Sequence, residues 1–195
     1  MDAGEAPIPT GRAAFARVSV VGTSCSGKTT LASRLARALG SHYVELDSLH
    51  WEPDWVEVPT PIFRARVDEA LPAAGSWVVD GNYSNVRDII WQRASAVIWL
   101  DYSFSTVLWR ALRRTARRVV TKERLYGGNV ESFSKSFLSR DSILLWVIQT
   151  HARNLRKYEA LSRDLRYESL HFERCKHPAE AEALATRLES EAPSP

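Results

Sequence analysis

The sequence predicts an α/β fold in which helices cover both faces of a parallel sheet, a three-layer sandwich. Short runs rich in β-branched residues alternate with helical segments along the chain, which is the pattern of βαβ units. The five predicted strands are Arg17 to Val21, His42 to Leu46, Ser76 to Val79, Ala96 to Leu100 and a weak one over Leu170 to Phe172. Because parallel crossovers are right-handed, all five strands end at one edge of the sheet, where ligands of such folds bind.

Apolar residues at three- and four-residue spacing predict the helices between these strands. Leu31, Leu35 and Leu39 mark one inward face of a helix over 28–39, which Gly40 ends. Further helices are predicted over 61–71, 85–93, 104 to about 120, 139–161 and 178–188, and a loop over 47–61. Residues 1–16 lack periodicity and predict a flexible tail, so 17–190 form one predicted domain with a short lid at about 113–135.

Composition and charge narrow the class of protein. The chain has 195 residues, of which 45% are hydrophobic and 25% are charged, close to the globular average. Its two cysteines do not form a disulfide framework or a zinc pattern, and no apolar run is long enough to span a bilayer. The N-terminus lacks a secretory signal. We therefore expect a cytoplasmic protein without a membrane partner, either a monomer or a homodimer.

The strongest functional signal is the segment GTSCSGKT over residues 22–29, which has the form GxxxxGK[ST]. It lies directly between a predicted strand and a predicted helix, so its backbone N–H groups and the helix N-terminus can surround a phosphate. Lys28 reaches the β- and γ-phosphates, and the Thr29 hydroxyl can bind Mg²⁺. The sequence predicts a site for ATP and Mg²⁺ formed by Gly22, Thr23, Ser24, Cys25, Ser26, Gly27, Lys28, Thr29 and Thr30.

Other classes of P-loop NTPase fit the sequence less well. The chain lacks the Asn-Lys-x-Asp string with which GTPases recognise guanine. The strands that end in Asp80-Gly81 and Asp101-Tyr102 lack the acidic pair of large motor ATPases. A small phosphotransferase is the class that remains.

From the P-loop onward, the chain resembles the adenylate-kinase-related family of small P-loop kinases, above all the short-lid members labelled DNA topology modulation proteins. The resemblance covers about residues 17–190 and rests on the segment Val78-Val79-Asp80-Gly81 and on Asp101. Arg110 and Arg114 follow Asp101 by nine and thirteen residues. The resemblance implies an adenylate-kinase-like fold in which Arg110 packs on the nucleotide base and Arg114 contacts phosphates.

Two departures from this family concern the acceptor. Ser84 and His50 occupy positions where adenylate kinases have arginines that hold a nucleoside monophosphate, which makes AMP a doubtful acceptor. Small-metabolite kinases of this fold place an acid at the end of the second strand, where this chain has Asp47. The similarity implies that Asp47 orients or deprotonates an acceptor hydroxyl, although a cap for the following turn would also explain it.

The remaining acid candidates concern the metal. Asp80 ends a strand expected beside the P-loop strand, so it can hold Mg²⁺ together with Thr29 or organise Lys28. Asp101 is the competing candidate for this role. Asp80 would alternatively have only a structural role, as a turn residue that caps the next helix. The acceptor site is predicted to contain Asp47, His50, Trp51, Asp80, Gly81, Asn82 and Arg87. Trp51 and Trp55 form either an aromatic wall for the acceptor or part of the core.

The helix after the fourth strand is rich in arginine. Its members at three- and four-residue spacing share one face, and they are Arg110, Arg113, Arg114 and Arg117. We predict that Arg110, Arg114 and Arg117 face the nucleotide and that Lys28, Asp47 and Arg114 are catalytic, whereas a solvated basic face is the structural alternative.

The predicted function is ATP-dependent phosphorylation of a small hydroxyl-bearing metabolite or nucleoside-like acceptor. Two other functions stay open. One is a nucleic-acid-associated ATP-binding protein whose basic helix grips backbone phosphates, and the other is a nucleotide-gated regulatory module without turnover.

Overall fold

The computed structural model describes residues 11–121 and 143–191, and within them five parallel strands form one sheet. The strands are β1 (Arg17–Gly22), β2 (His42–Glu45), β3 (Trp77–Asp80), β4 (Ala96–Leu100) and β5 (His171–Cys175). Their order across the sheet is β2-β3-β1-β4-β5, which places the P-loop strand in the centre. The predicted α/β class is confirmed, and the fifth strand is longer than the sequence indicated.

The helices pack on both faces of this sheet. They are α1 (Lys28–Leu39), α2 (Leu46–His50), α3 (Thr60–Ala70), α4 (Arg87–Trp91), α5 (Phe104–Thr121), α6 (Ile143–Leu161) and α7 (Pro178–Ser190). In the described ranges, no helix combines the length and apolar character that a membrane crossing requires.

The segment after β2 differs from the prediction. The sequence indicated a loop over 47–61, but α2 and a short 3₁₀-helix at Pro53–Trp55 lie there. Leu46 and His50, which begin and end α2, are both buried. Five residues are too few to show helical periodicity, so the burial of these two side chains, rather than a sequence pattern, accounts for the turn.

The prediction of a flexible tail over 1–16 is wrong for residues 11–16, the part of it that the structure describes. Gly11–Phe15 form a 3₁₀-helix, and the side chains of Ala14 and Phe15 are 2% exposed. The carbonyl of Ala16 accepts a hydrogen bond from the backbone of Trp77 at 3.0 Å, which ties this segment to the sheet. Residues 1–10 and most of the predicted lid, which falls on 122–135, lie outside the described residues.

Two apolar cores lie on opposite faces of the sheet. Side chains alternate along β1, so Val18 and Val20 pack with α1 and α7, whereas Val21 packs with α3 and β3 on the other face.

Because the strands are parallel, the loops that follow β1, β2, β3 and β4 lie at the same edge of the sheet. The P-loop, Asp47 and the segment after Asp80 are therefore brought together by the topology itself.

Candidate active site

Residues 22–27 join β1 to α1 in a tight loop, and only small residues fit at its two end positions. A Cβ on Gly22 would lie 2.7 Å from the carbonyl oxygen of Leu100, so the backbones of β1 and β4 can approach only without it. Gly27 caps α1 with a φ of 97°. The two glycines of the motif thus have the close approach and the left-handed turn that a phosphate-binding loop requires.

Side chains from distant elements fix this loop at both ends. The Asn82 amide holds Gly22 on both sides: its Oδ1 accepts from the Gly22 N–H at 3.1 Å, and its Nδ2 donates to the Gly22 carbonyl. The Tyr158 hydroxyl donates to the same Oδ1 at 3.0 Å. At the other end, Arg110 donates to the Ser26 carbonyl at 2.6 Å. Asn82 was predicted to bind the acceptor, but both polar atoms of its amide bind the P-loop.

Asp80 contacts the P-loop helix directly. The Thr29 hydroxyl donates to its Oδ2 at 2.7 Å, and the Tyr43 hydroxyl donates to its Oδ1 at 3.1 Å. Asp80 is 3% exposed, and this burial raises the pKa of its carboxyl group against the opposing effects of Thr29, Lys28 and Tyr43.

Asp101, the competing acid, has a different partner. Both β3 and β4 flank β1, so position in the sheet does not distinguish the two acids. Arg174 binds the Oδ2 of Asp101 at 2.6 and 2.9 Å, and its guanidinium lies over the Trp99 ring at 4.3 Å. The contact with Thr29 therefore distinguishes the two acids, since it joins Asp80 to the motif GxxxxGK[ST].

The Lys28 ammonium lies among charges of both signs. It donates to the Thr23 carbonyl at 3.3 Å within the loop. Burial lowers the pKa of Lys28, the carboxylates of Asp47 and Asp80 oppose this shift, and Arg114 adds to it. Because these charges act on a single ammonium, the predicted catalytic residues Lys28, Asp47 and Arg114 belong to one electrostatic cluster.

Asp47 and its aromatic neighbours form a second group of side chains, whose carboxylate acts on Lys28. The Tyr83 hydroxyl donates to Asp47 Oδ1 at 2.6 Å. The buried His50 ring packs against Trp51, Phe63 and Tyr83 with centroids 4.9, 4.8 and 4.5 Å away. Burial lowers the pKa of His50, and the carboxylates of Glu57 and Asp47 oppose this shift. The three ring contacts make this histidine part of a packed aromatic wall.

The two predicted tryptophans also belong to this wall. The Trp51 and Trp55 rings meet edge to face at 5.6 Å, and both side chains remain half-buried. A half-buried aromatic surface beside a carboxylate is suited to a ring or carbon skeleton with hydroxyl groups.

The arginines of α5 divide into two groups. Arg110 reaches the P-loop and lies over the Tyr102 ring at 5.1 Å. Arg114 is half-buried, and its Nε is buried without a hydrogen-bond partner in the described part of the chain. Arg113 and Arg117 are exposed. The predicted stripe therefore presents Arg110 and Arg114 to the site and its other two members to the surface.

The residues at the P-loop fit Mg²⁺ bound together with phosphate. The Thr29 hydroxyl and the Asp80 carboxylate supply oxygen donors 2.7 Å apart at the start of α1. Magnesium in phosphotransferases is commonly bound by one or two carboxylates plus substrate phosphates rather than by a complete protein cage. The described residues contain no group of three or more His, Cys, Asp or Glu side chains that could hold a metal.

Sequence reasoning missed three residues of this region: Tyr43, Tyr83 and Lys157. Tyr43 lies in a four-residue strand, and Tyr83 lies in the irregular segment between β3 and α4, so neither position carries a motif. Lys157 lies in the middle of α6, where spacing indicates only a helix. Their contacts with Asp80, Asp47 and Ser84 join residues 37, 36 and 73 positions apart, which a local pattern does not reveal.

Solved structures of small kinases share this architecture. A shikimate kinase from Acinetobacter baumannii in complex with shikimate superposes with a TM-score of 0.52 at 18% identity, over 91% of this chain and 94% of that one. An unliganded sugar kinase from a Janibacter species superposes with a TM-score of 0.50 at 16% identity, over 90% and 95%. The chain has the fold of small P-loop kinases.

At these identities the likeness concerns the fold alone. No protein-family model matches the chain, and no curated protein sequence matches it. The narrower resemblance to short-lid adenylate-kinase relatives accordingly stays a prediction.

Proposed function

We propose that this protein is an ATP-dependent kinase that transfers a phosphoryl group to a hydroxyl group of a small metabolite or nucleoside-like acceptor. The observation that carries this proposal is the hydrogen bond from Thr29 to Asp80 at 2.7 Å at the mouth of the P-loop. It joins the motif's hydroxyl to a buried carboxylate, as a Mg²⁺–nucleotide site requires. The fold shared with a shikimate kinase and a sugar kinase supports the assignment.

The nucleotide half of the site provides positive charge and position. The loop backbone surrounds the β- and γ-phosphates, and Lys28 places its ammonium beside them. Mg²⁺ bound through Thr29 and Asp80 would neutralise charge on the phosphate oxygens. Arg110 braces the loop at Ser26, and the unpartnered Nε of Arg114 offers a donor to the transferring group.

The acceptor half provides a proton acceptor and a shaped wall. The hydrogen bond from Tyr83 fixes the orientation of the Asp47 carboxylate. The oxygen of the acceptor hydroxyl bonds to the γ-phosphorus while the bond between this phosphorus and the oxygen bridging to the β-phosphate breaks. Asp47 accepts the proton that the hydroxyl group loses. Trp51 and Trp55 bound the space in which the rest of the acceptor lies.

The alternative of a nucleic-acid-associated protein depends on the basic helix. Arg110 and Arg114 are directed to the P-loop region, which leaves two exposed arginines for that role in the described part of the stripe. A backbone-binding surface typically uses several cations along a groove. The geometry therefore favours the kinase.

The test is ATP consumption by the whole chain against a panel of nucleosides, sugars and hydroxylated acids, with the product mass measured. Lys28→Ala should abolish turnover and keep the fold. Lys176→Ala, which removes an exposed lysine far along the chain, is the matched control and should retain turnover. Phosphorylation that survives in Lys28→Ala at the wild-type rate would refute the nucleotide assignment.

A further inference from the structure

A second group of charges lies beside the acceptor half of the site. A pocket opens between the segment after β3, the start of α4 and the middle of α6, and Asn82, Tyr83, Arg87, Lys157 and Tyr158 line it. We call it the Arg87–Lys157 pocket. Tyr83 lines this pocket and also donates its hydroxyl to Asp47, so the pocket adjoins the proposed proton acceptor.

The cations of this pocket lack anionic partners among residues 11–121 and 143–191. Arg87 is half-buried, and its Nε is buried without a hydrogen-bond partner in the part of the chain that the structure describes. Lys157 donates to the Ser84 hydroxyl at 2.9 Å. Within the described ranges, no carboxylate lies at ion-pair distance from Arg87 or Lys157. The positive charge of Arg87 acts on the carboxylate of Asp164, but this carboxylate is bound by Arg166 at 2.6 Å.

These cations also act on one another. Burial, reinforced by the charges of Arg87 and Arg153, lowers the pKa of Lys157 to about 8. Part of the stabilisation of Arg87 comes from the Trp91 ring, 5.7 Å from its guanidinium. A half-buried group of like charges without a counterion is unfavourable in the folded protein unless a ligand supplies the opposite charge.

An oxyanion is the ligand that fits this arrangement. A guanidinium presents a planar fork of donors that matches carboxylate or phosphate oxygens, and an ammonium adds a compact point charge. The neighbouring hydroxyls of Tyr158 and Ser84 are already engaged with Asn82 and Lys157, which keeps the cations in place. The pocket therefore combines preorganised donors with excess positive charge.

We propose that the Arg87–Lys157 pocket binds a carboxylate or phosphate group of the acceptor, so that the substrate of this kinase is an anionic hydroxylated metabolite. Its link to an acceptor rests on the proposed function, whereas the anion site itself does not. An acceptor anchored there would present a hydroxyl to Asp47, because Tyr83 contacts both the pocket and that carboxylate.

The test is competitive acetylation of the lysines at pH 8, read by peptide mass spectrometry. At that pH, a lysine with a pKa of about 8 is neutral about a hundredfold more often than one with an ordinary pKa of roughly 10.4, so Lys157 should react fast. Inorganic phosphate or gluconate at millimolar concentration should slow its acetylation at least threefold, because a bound anion raises the pKa of Lys157. Neutral sorbitol should have no effect. Which anion protects identifies the group as a phosphate or a carboxylate.

Three variants separate this site from the P-loop. Arg87→Gln should remove protection by the anion, and Arg156→Gln, an exposed arginine on the same helix, should keep it. Lys28→Ala should also keep it, because phosphate bound at the P-loop does not shield Lys157. If Arg87→Gln does not fold, Lys157→Gln is combined with Lys28→Ala, and the double variant should lose the phosphate-induced rise in melting temperature that Lys28→Ala keeps.

The outcomes distinguish the two proposals. Acetylation of Lys157 that neither anion slows, or an equal loss of protection in Arg156→Gln, overturns the anion site. Protection without any ATP turnover across the acceptor panel supports the anion site and refutes the kinase assignment. If turnover occurs, anionic acceptors should have a KM at least tenfold below that of their neutral counterparts, and equal values would overturn the inference.

Discussion

Gly22→Ala tests whether the P-loop has the close packing described above. The added methyl group would lie 2.7 Å from the Leu100 carbonyl oxygen and 3.0 Å from both Leu100 Cβ and Ser26 Oγ. The first contact is with the backbone of the central sheet, which cannot rotate away as a side chain can. The φ of Gly22 is 150°, a conformation that residues with a Cβ rarely adopt.

The size of the effect follows from these two contributions. Backbone strain of this kind costs about 1–3 kcal/mol, and forcing a methyl group into a packed interior costs about 1–3 kcal/mol. We therefore expect the free energy of unfolding to fall by roughly 2–6 kcal/mol, a large part of the ~5–15 kcal/mol typical of a domain. Gly40→Ala is the matched control, because its φ is 62° but nothing lies within 4 Å of the new Cβ. Strain alone should cost it about 1–2 kcal/mol.

Urea unfolding followed by tryptophan fluorescence measures both variants, since the chain has seven tryptophans. The midpoint should fall much further for Gly22→Ala than for Gly40→Ala, with the slope against urea unchanged. Equal losses would mean that the close approach of β1 and β4 at Leu100 is not as described, and the geometry argued for the P-loop would fail with it.

Three further predictions concern turnover. Asp80→Asn should raise the Mg²⁺ concentration for half-maximal activity at least tenfold, whereas Asp101→Asn, which removes the partner of Arg174, should leave it unchanged; the same shift in both would contradict the assignment of the metal site. Tyr83→Phe should lower kcat about tenfold with ATP affinity preserved, because the acceptor-side carboxylate loses its orienting hydrogen bond, and a change in ATP affinity alone would refute this. Arg114→Ala should reduce kcat/KM at least tenfold more than the exposed Arg113→Ala, and equal effects would place both on a solvated surface.

The geometry of the proposed nucleotide half was predictable because it is encoded in consecutive residues. A strand, a loop with glycines at both ends and a helix follow one another over residues 17–39, and each has a strong local pattern. Asp80 was also predictable in part, since it ends a buried strand. The choice between Asp80 and Asp101 was not, because both strands flank β1 and only the contact with Thr29 separates them.

The acceptor half was less predictable because its residues meet only in the folded chain. Asp47 was identified by position, but the hydroxyl that orients it comes from Tyr83, beyond the end of a different strand. Asn82 lies where a substrate-binding residue was expected, yet its amide is taken up by Gly22 and Tyr158. A turn-forming asparagine has the same sequence signature in both roles, so no local pattern separates them.

This division between the two halves has a chemical consequence. The P-loop is held by Asn82 and Arg110, through contacts that involve neither Asp47 nor the cations of the Arg87–Lys157 pocket. Side chains on α4 and α6 can therefore change the charge of the acceptor pocket while the nucleotide site keeps its geometry. Asn82 and Tyr158 are the exceptions, because both line the Arg87–Lys157 pocket, Asn82 holds Gly22, and Tyr158 donates to Asn82. A substitution at either residue would affect both regions at once, so the proposal predicts that acceptor selectivity depends on Arg87 and Lys157 more than on Asn82 and Tyr158.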